Sequence, residues 1–137
     1  MTVFSDRVAL VTGSTSGIGL GLAEGLAKSG ASIALNGFGD PREIDALAER
    51  LRVECGVEVD FFDADLTDAT QACGLVERTL ERFGRLDILI NNAGIQHVSP
   101  VEAFPADKWE AIIALNLSAS FYTTRAALPG MRERGYG

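Results

Sequence analysis

A glycine-rich turn near the amino terminus restricts what this chain can fold into more than any other segment. The turn covers residues 12–19 and has glycine at positions 13, 17 and 19. It follows a continuous apolar run at 8–11, which is typical of a parallel strand buried on both faces. After the turn, Ile18, Leu22 and Leu26 recur every four residues with Ala23 and Ala27 beside them, which predicts a helix with this apolar face, and Gly30 ends the segment. A second apolar run at 32–35 completes one β-α-β unit of about 30 residues.

The backbone of this turn suits a phosphate group. Glycines allow the chain to turn sharply and to approach a ligand without an intervening Cβ. The helix that follows presents unpaired N–H groups and the positive end of its dipole to an anion. The sequence therefore predicts a dinucleotide site at the turn. The alternative is a glycine-rich connection that binds no ligand.

Composition excludes several other classes of protein. A length of 137 residues fits one domain, and 47% apolar with 23% charged residues fits a globular protein. The net charge of −7 argues against nucleic acid or an anionic membrane as a partner. No apolar run approaches the roughly 20 residues of a membrane-spanning helix. The first residues lack the layout of a signal peptide, so we expect a cytoplasmic protein.

The cysteines and the histidine carry no metal-binding pattern. Cys55 and Cys73 lie in no Cys-x-x-Cys motif and beside no histidine, so we expect two free thiols. His97 is the only histidine, and no second ligand stands at a suitable spacing. We therefore predict no metal site, and we interpret His97 as a loop or pocket-wall residue without a chemical role.

The remaining segments continue the alternation of strands and helices. Asp40 is the expected N-cap of the second helix, with Pro41 in the first turn, Glu43 as capping-box partner and Gly56 at the end. Strands are predicted at 57–62 and 86–90, and a third helix lies between them. A last helix is predicted over 107–127, before Pro129. The expected inner faces of the second and third helices are Ile44, Leu47, Ala48 and Leu51, and Leu75, Val76, Leu80 and Phe83, with Gly84 ending the third.

This alternation predicts a Rossmann-type α/β fold. The expected architecture is a doubly wound parallel sheet of about four strands in the order 3-2-1-4, with flanking helices. In that order the ligand crevice opens between strands 1 and 4, at their carboxyl ends. The glycine turn follows strand 1, and the polar segment 91–94 follows strand 4. Two unusual loops are therefore expected on the same crevice.

Four motifs in this order resemble the short-chain dehydrogenase/reductase family. They are the glycine turn, the Asp65-Leu66 pair after strand 3, the segment 91–94, and Asn116. The resemblance covers the whole chain and implies that Asn116 is a catalytic residue, which holds a water linking the catalytic lysine to solvent. It gives Thr12 a structural role. The coenzyme-binding residues that it implies are Gly13, Thr15, Ser16, Gly17, Ile18, Gly19, Phe38, Ala64, Asp65, Leu66, Asn92, Ala93, Gly94 and Leu115.

Within the family, the segments at 36–40 and 91–105 resemble the bacterial D-3-hydroxybutyrate dehydrogenases. In those enzymes the glutamine that matches Gln96 helps to hold the substrate carboxylate. The resemblance implies an NAD-dependent oxidation of (R)-3-hydroxybutyrate, a small hydroxy acid, to acetoacetate, by an enzyme that is a tetramer when full length. The alternatives are a 3-oxoacyl reductase or sugar dehydrogenase of the same family, and a nucleotide-binding module without catalysis.

The residues after strand 2 bear on the choice of coenzyme. Many NAD-dependent enzymes have an acidic residue here that binds the adenosine ribose, whereas this chain has Asn36, Gly37 and Phe38. No arginine or lysine lies in the glycine turn or at 36–39 to pair with a 2′-phosphate. Phe38 is expected to pack against the adenosine. The absence of basic partners, together with the resemblance, favours NAD over NADP.

The spacing of the last helix makes a prediction about Asn116. Asn116 lies seven residues after Trp109, nearly two turns, and is expected on the same apolar face with its amide buried and hydrogen-bonded. The alternative is an asparagine that only ties the helix to a neighbouring backbone. The other residues of the expected apolar face are Ile112, Ile113, Leu117 and Phe121.

The catalytic residues that the family carries later in its sequence are absent from this chain. Neither Tyr122 nor Tyr136 has a lysine four residues later, so no Tyr-x-x-x-Lys pair is present. We expect residues 1–137 to be the NAD-binding N-terminal part of a single short-chain dehydrogenase domain, with a fold incomplete relative to the family's. Such a chain is expected to be inactive by itself. A bare edge at strand 4 and an uncovered face of the last helix would also make it prone to aggregate.

Overall fold

The computed structural model describes residues 2–137, in which four parallel strands form one sheet. The strand order is β3-β2-β1-β4, as the sequence predicts. The outer strands are shorter than predicted, because each pairs with only three residues of its neighbour. The strands are β1 (Val8–Val11), β2 (Ser32–Leu35), β3 (Val59–Phe61) and β4 (Ile88–Ile90).

Both faces of the sheet are covered by helices. Leu10, at the centre, pairs with Ala34 on one side and with Leu89 on the other. Because successive side chains of a strand point to opposite faces, Ala9 and Val11 join one hydrophobic cluster and Leu10 joins the other. The first cluster contains residues of α1 (Gly17–Lys28) and α2 (Pro41–Cys55), and the second contains residues of α3 (Ala69–Phe83) and α5 (Ala119–Arg134).

The helix ends largely follow the capping residues in the sequence. The Asp40 carboxylate accepts a hydrogen bond from the N–H of Arg42 at 2.8 Å, and Pro41 is the first residue of α2. The predicted capping box is wrong, because this bond goes to Arg42 and not to Glu43. In α3 the Asp68 carboxylate accepts from the N–H of Gln71 at 3.0 Å. Gly56 and Gly84 end α2 and α3 in the left-handed conformation, as predicted.

The inner face of α1 is confirmed at Ala23, Ala27 and the partly buried Leu26, but the prediction is wrong at Ile18 and Leu22. Ile18 and Leu22 are 78% and 38% exposed, although their spacing favours a buried stripe. The buried residues of α1 are Gly19, Ala23 and Ala27. These small residues allow the helix to lie close to the sheet, and that close approach turns the larger side chains outward.

The last helix is longer and less regular than predicted. It consists of α4 (Ala106–Ile113), a π-helical segment (Ala114–Ser118) and α5, and it continues past Pro129. Proline removes one backbone hydrogen bond, but Pro129 lies on the exposed side of α5. The side chain of Arg134 holds the end of α5 by donating a hydrogen bond to the carbonyl of Leu86. This tertiary contact outweighs the local stop signal.

The amino ends of β1 and β4 are joined by a buried carboxylate. Asp87 accepts hydrogen bonds from the N–H of Val8 at 2.9 Å and from the guanidinium of Arg85 at 2.8 and 2.7 Å. Arg7 and Arg134 each lie 3.7 Å from the same carboxylate. Burial raises the pKa of Asp87, but these hydrogen bonds and positive charges outweigh it and hold the pKa below its usual range.

Across residues 2–137, no helix is long and apolar enough to cross a membrane.

Candidate functional site

A cleft of about 500 Å³ opens where the four strands end. Its walls are the loops that follow β1, β2, β3 and β4, together with Leu115 from the π-helical segment. The cleft contains every residue predicted to bind coenzyme except Gly17, Ile18 and Gly19. Four further residues line the cleft that were not predicted to bind coenzyme, namely Asn36, Gly37, Thr67 and Ile95.

The glycine turn leads from β1 into the amino end of α1, beside this cleft. Gly13 and Gly17 have φ angles of 61° and 57°, a conformation that favours glycine. Ser16 is the N-cap of α1, and its side chain makes no capping hydrogen bond. The first N–H groups of α1 are therefore left without a side-chain partner, next to cleft residues Thr15 and Ser16. This arrangement is suited to an anion.

Gly19 lies on the buried side of α1, behind the cleft residues Gly13 and Asn92. It is buried, and a Cβ at this position would overlap the carbonyl oxygen of Gly13 and the side-chain amide of Asn92. The absence of a side chain therefore allows α1 to contact both loops at once. In this structure Gly19 shapes the site through packing.

The loops after β1 and β4 are joined by Thr12 and Asn92. The buried Thr12 hydroxyl accepts hydrogen bonds from the N–H groups of Asn92 and Ala93 at 3.0 and 2.9 Å. The Asn92 side chain donates to the carbonyl oxygens of Thr12 and Gly13 at 3.0 and 3.1 Å. Thr12 thus ties strand 1 to strand 4, in keeping with the structural role expected for it. Two walls of the cleft are fixed relative to each other.

Asn36 joins the loops after the first three strands. It is buried, and its side chain accepts from the N–H of Gly13 at 3.3 Å and donates to the carbonyl of Phe62 at 3.1 Å. Its backbone N–H donates to the Ser14 hydroxyl at 3.0 Å. From the sequence, Asn36 was noted only because it stands near the position where many NAD-dependent enzymes carry an acidic residue. A polar residue directly after a buried strand was the available signal for this scaffolding role.

Asp65 brings a negative charge to the cleft wall. Its carboxylate accepts hydrogen bonds from the hydroxyl and the N–H of Thr67 at 2.6 and 3.0 Å. These bonds hold the pKa of Asp65 below its usual range, the bond from the hydroxyl having the larger effect. Asp65 is therefore ionised at neutral pH.

The exposed ring of Phe38 stands at the rim between three cavities. Its side chain is 74% exposed, and its carbonyl accepts a hydrogen bond from the Thr15 hydroxyl at 2.8 Å. Asp45 and Asp63 line one neighbouring groove, and Asp40 and Glu43 line another. Of the described residues that line the main cleft and these two grooves, none is lysine or arginine. The rim around Phe38 is therefore acidic.

Asn116 occupies a different environment from the predicted one. Its side chain is exposed, because the expected apolar face of the last helix lies on the surface, with Trp109 60% exposed. The amide nevertheless has two partners, since Oδ1 accepts from the N–H of Ile95 and Nδ2 donates to the carbonyl of Ile95, both at 2.9 Å. This is the bond pattern of the alternative interpretation, a tie to a neighbouring backbone. A catalytic role for Asn116 stays a prediction.

The segment after Ile95 is an exposed loop. Gln96 lies next to the cleft residue Ile95 but does not itself line the cleft. The ring of His97 packs edge-on against Phe104, with centroids 5.3 Å apart. Among residues 2–137, no three His, Cys, Asp or Glu side chains are grouped closely enough to hold a metal ion.

A family model described as short chain dehydrogenase matches residues 7–137. The chain belongs to the short-chain dehydrogenase family. A D-beta-hydroxybutyrate dehydrogenase of Cupriavidus necator is 48% identical over 135 residues, which are 98% of this chain and 52% of the relative. A D-beta-hydroxybutyrate dehydrogenase of Rhizobium meliloti is 46% identical over 131 residues, which are 96% of this chain and 51% of the relative. The chain thus spans about half the length of these curated relatives.

Two solved structures share the fold of this chain. A metagenomic short-chain oxidoreductase in complex with NADP has a TM-score of 0.89 and 32% identity, over 98% of this chain and 61% of that one. A blue fluorescent protein from a metagenomic library, in complex with NADPH, has a TM-score of 0.88 and 31% identity, over 93% of this chain and 52% of that one. The Rossmann-type architecture predicted from the sequence is confirmed.

Proposed function

We propose that residues 1–137 are the coenzyme-binding part of a dehydrogenase that oxidises (R)-3-hydroxybutyrate to acetoacetate with NAD. The observation that carries this proposal is the convergence of four strand-end loops and the amino end of α1 on one cleft. Its volume lies within the range of roughly 300–1,000 Å³ that is usual for cofactor sites. The identity to two D-beta-hydroxybutyrate dehydrogenases supports the choice of reaction.

The cleft offers a surface for each part of a dinucleotide. The turn at Gly13 and the open amino end of α1 suit the pyrophosphate. Phe38 and Leu66, on the loops after β2 and β3, offer apolar surface for the adenosine. Ala93 and Leu115, at the other end, would lie along the nicotinamide half. When bound, the nicotinamide supplies the hydride acceptor, and the protein's part is to orient it and to exclude water.

The acidic rim favours NAD over NADP. A 2′-phosphate beside Phe38 would face Asp45 and Asp63 in one groove and Asp40 in the other, with no lysine or arginine among the described lining residues to neutralise it. Negative charges that lie close together repel each other, and this repulsion disfavours binding of the phosphate. The ribose hydroxyls of NAD carry no charge and meet no such penalty. This preference rests on the residues of this chain, since the two solved relatives hold NADP and NADPH.

Gln96 and Asn116 are the residues of this chain that we assign to the substrate side. The amide of Gln96 makes no hydrogen bond to the described part of the chain, so its N–H donors are free to meet a small carboxylate. We assign Asn116 to the proton relay that links a catalytic lysine to solvent. The tyrosine that takes the substrate proton and its lysine would lie in the rest of the domain. The isolated chain is then inactive.

The exposed apolar surface fits a larger assembly. Trp109, Leu117 and Phe121 expose more than half of their side chains along the last helix. We propose that the full-length enzyme covers this surface within a homo-oligomer, a tetramer, in the cytoplasm, where Cys55 and Cys73 stay reduced.

A turnover assay with matched substrates tests the proposal. The full-length protein should reduce NAD with (R)-3-hydroxybutyrate, more slowly with the S enantiomer, and with lower kcat/KM when NADP replaces NAD. Calorimetric titration with NADH should show binding to the same protein. Binding without turnover would indicate a nucleotide-binding module, and preference for NADPH with a 3-oxoacyl substrate would indicate a reductase.

A further inference from the structure

We propose that Gln71, which does not line the cleft, is a positioning residue for the adenine ring. Its side chain fixes the backbone of Asp65, so that one carboxylate oxygen of Asp65 meets the exocyclic amine of the base. This inference rests on the proposed function, in which Phe38 and Leu66 offer surface for the adenosine. Gln71 then contributes to the selection of adenine over other purines without touching the coenzyme.

The first observation is the contact between α3 and the loop 62–68 that follows β3. The side-chain oxygen of Gln71 accepts a hydrogen bond from the N–H of Asp65 at 2.8 Å. Gln71 is the third residue of α3, and in a capping box the side chain at this position returns to the N–H of the N-cap residue. Here the N–H of the N-cap, Asp68, donates instead to the carbonyl of Asp65 at 3.1 Å. The start of α3 therefore holds both backbone groups of Asp65.

The second observation is that one carboxylate oxygen of Asp65 has no partner. Oδ1 accepts from the hydroxyl and the N–H of Thr67, whereas Oδ2 makes no hydrogen bond within residues 2–137. Because the backbone groups and Oδ1 are all held, the direction of Oδ2 is fixed as well. Asp65 is exposed and lines the cleft. A fixed, negatively charged acceptor in a cleft suits an N–H donor of a ligand.

The third observation is the position of this acceptor between two apolar cleft residues. Ala64 and Leu66, the neighbours of Asp65, are both 4% exposed and line the same cleft. Apolar walls suit the faces of a purine ring, and Asp65 is then the charged group available to its polar edge. Adenine has an amine at that edge, which donates hydrogen bonds. Hypoxanthine has a carbonyl oxygen at the same ring position, and a carboxylate repels that oxygen.

The fourth observation is that Asp65 depends on Gln71 more than the rest of the loop does. The start of the loop has other anchors, because Asn36 and Arg78 donate to its backbone carbonyls at 3.1 and 2.6 Å. In the part of the chain that the structure describes, Gln71 is the only residue outside the loop that makes a hydrogen bond to Asp65. Loss of the Gln71 side chain should therefore release Asp65 while the loop stays folded.

The test compares two coenzymes in calorimetric titrations of the full-length protein. The ligands are NADH and its hypoxanthine analogue, reduced nicotinamide hypoxanthine dinucleotide, and the wild type should bind NADH more tightly. Gln71→Ala should raise the Kd for NADH roughly fivefold and change the Kd for the analogue by less than about twofold. An equal rise in both Kd values would indicate a merely structural role and would overturn the inference.

Two further variants serve as matched controls. Gln71→Glu keeps an acceptor oxygen for the N–H of Asp65 and should keep the preference for NADH. Thr70→Ala changes the neighbouring exposed residue of α3, whose side chain makes no hydrogen bond to residues 2–137. Its two Kd values should be those of the wild type, and a loss of preference in Thr70→Ala would show that any change at the start of α3 has this effect.

A double variant shows whether the effect passes through Asp65. Asp65→Asn keeps Oδ1 for Thr67 and replaces Oδ2 by an amide N–H₂ group, so it should favour the hypoxanthine analogue over NADH. In that background, Gln71→Ala should weaken the analogue more than NADH, the opposite of its effect on the wild type. The same direction of change in both backgrounds would contradict a role through Asp65.

Amide hydrogen exchange gives a readout that does not depend on a ligand. A peptide covering residues 62–68 should exchange faster in Gln71→Ala than in the wild type or in Thr70→Ala, and unchanged exchange would overturn the positioning role. Equal affinity of the wild type for the two coenzymes would overturn this inference alone. Failure of the wild type to bind either coenzyme would overturn the proposed function as well.

Discussion

Asn92 donates two hydrogen bonds to Thr12, one from its backbone and one from its side chain. The backbone N–H of Asn92 donates to the Thr12 hydroxyl, and the Asn92 side chain donates to the Thr12 carbonyl, each at 3.0 Å. Thr12 follows β1 and Asn92 follows β4, the two strands between which the cleft opens. These bonds make a stable scaffold of two loops that are 80 residues apart in sequence.

Removing the Thr12 hydroxyl should separate these loops. In Thr12→Val the N–H groups of Asn92 and Ala93 lose their acceptor in a buried position, which should cost about 1–3 kcal/mol of unfolding free energy. NADH affinity should fall as well. Urea denaturation and calorimetric titration of the full-length protein measure both effects. Thr12→Ser keeps the hydroxyl and should behave nearly as the wild type, and equal losses in the two variants would contradict the role of the hydrogen bonds.

Adding one methyl group at Gly19 should damage the site without touching a ligand. The new Cβ in Gly19→Ala would overlap the Gly13 carbonyl and the Asn92 amide, so α1 must move away from the loops. We expect NADH affinity to fall at least about tenfold. Gly21→Ala is the control on the same helix, where a Cβ meets nothing within 4 Å. It should stabilise the helix by about 0.5–1 kcal/mol and leave NADH binding intact. Equal NADH affinities in the two alanine variants would contradict this packing role.

A positive charge at Phe38 should change the preferred coenzyme. Phe38→Arg places a guanidinium at the rim where the 2′-phosphate of NADP would lie, and should raise the ratio of kcat/KM for NADP to that for NAD by roughly tenfold. Val53→Arg is the control, because Val53 is also 74% exposed but lies on α2 and lines none of the cavities around Phe38. An equal shift in both variants would show that net charge alone is responsible.

The buried carboxylate of Asp87 should make folding sensitive to acid. Its pKa in the folded protein is lowered, so its contribution to stability is present above the unfolded pKa of about 3.9 and is lost as the pH falls through the folded value. Asp87→Asn should lower the unfolding free energy by about 2–3 kcal/mol at neutral pH, because the arginines lose the carboxylate that neutralises them. The loss stays moderate because these arginines are partly exposed to solvent. The difference in unfolding free energy between wild type and variant should shrink below pH 4. A constant difference over that range would contradict the lowered pKa.

The residue pattern along the chain was enough to predict the sheet and the position of the cleft. The signals for strands and helices act within a few residues along the chain; examples are the apolar runs, the capping residue Asp40 and the terminal glycine Gly56. The order of strands and helices could therefore be predicted from short stretches of sequence. The strand order followed from the alternation of strands and helices, and the loops at strand ends then had to meet. The cleft residues Gly13, Thr15 and Ser16, in the turn after β1, were predicted from this strand order.

The side chains that face inward and the polar groups that join the loops could be identified only from the three-dimensional packing. The spacing of Ile18 and Leu22 predicts a buried stripe, but the close approach of Gly19 to Asn92 turns that stripe outward. Regular helical spacing likewise placed Asn116 on a buried face, whereas the wide π-helical turn and the backbone of Ile95 fix its true position. Such contacts join residues far apart in sequence, and their geometry depends on packing that a local pattern does not contain.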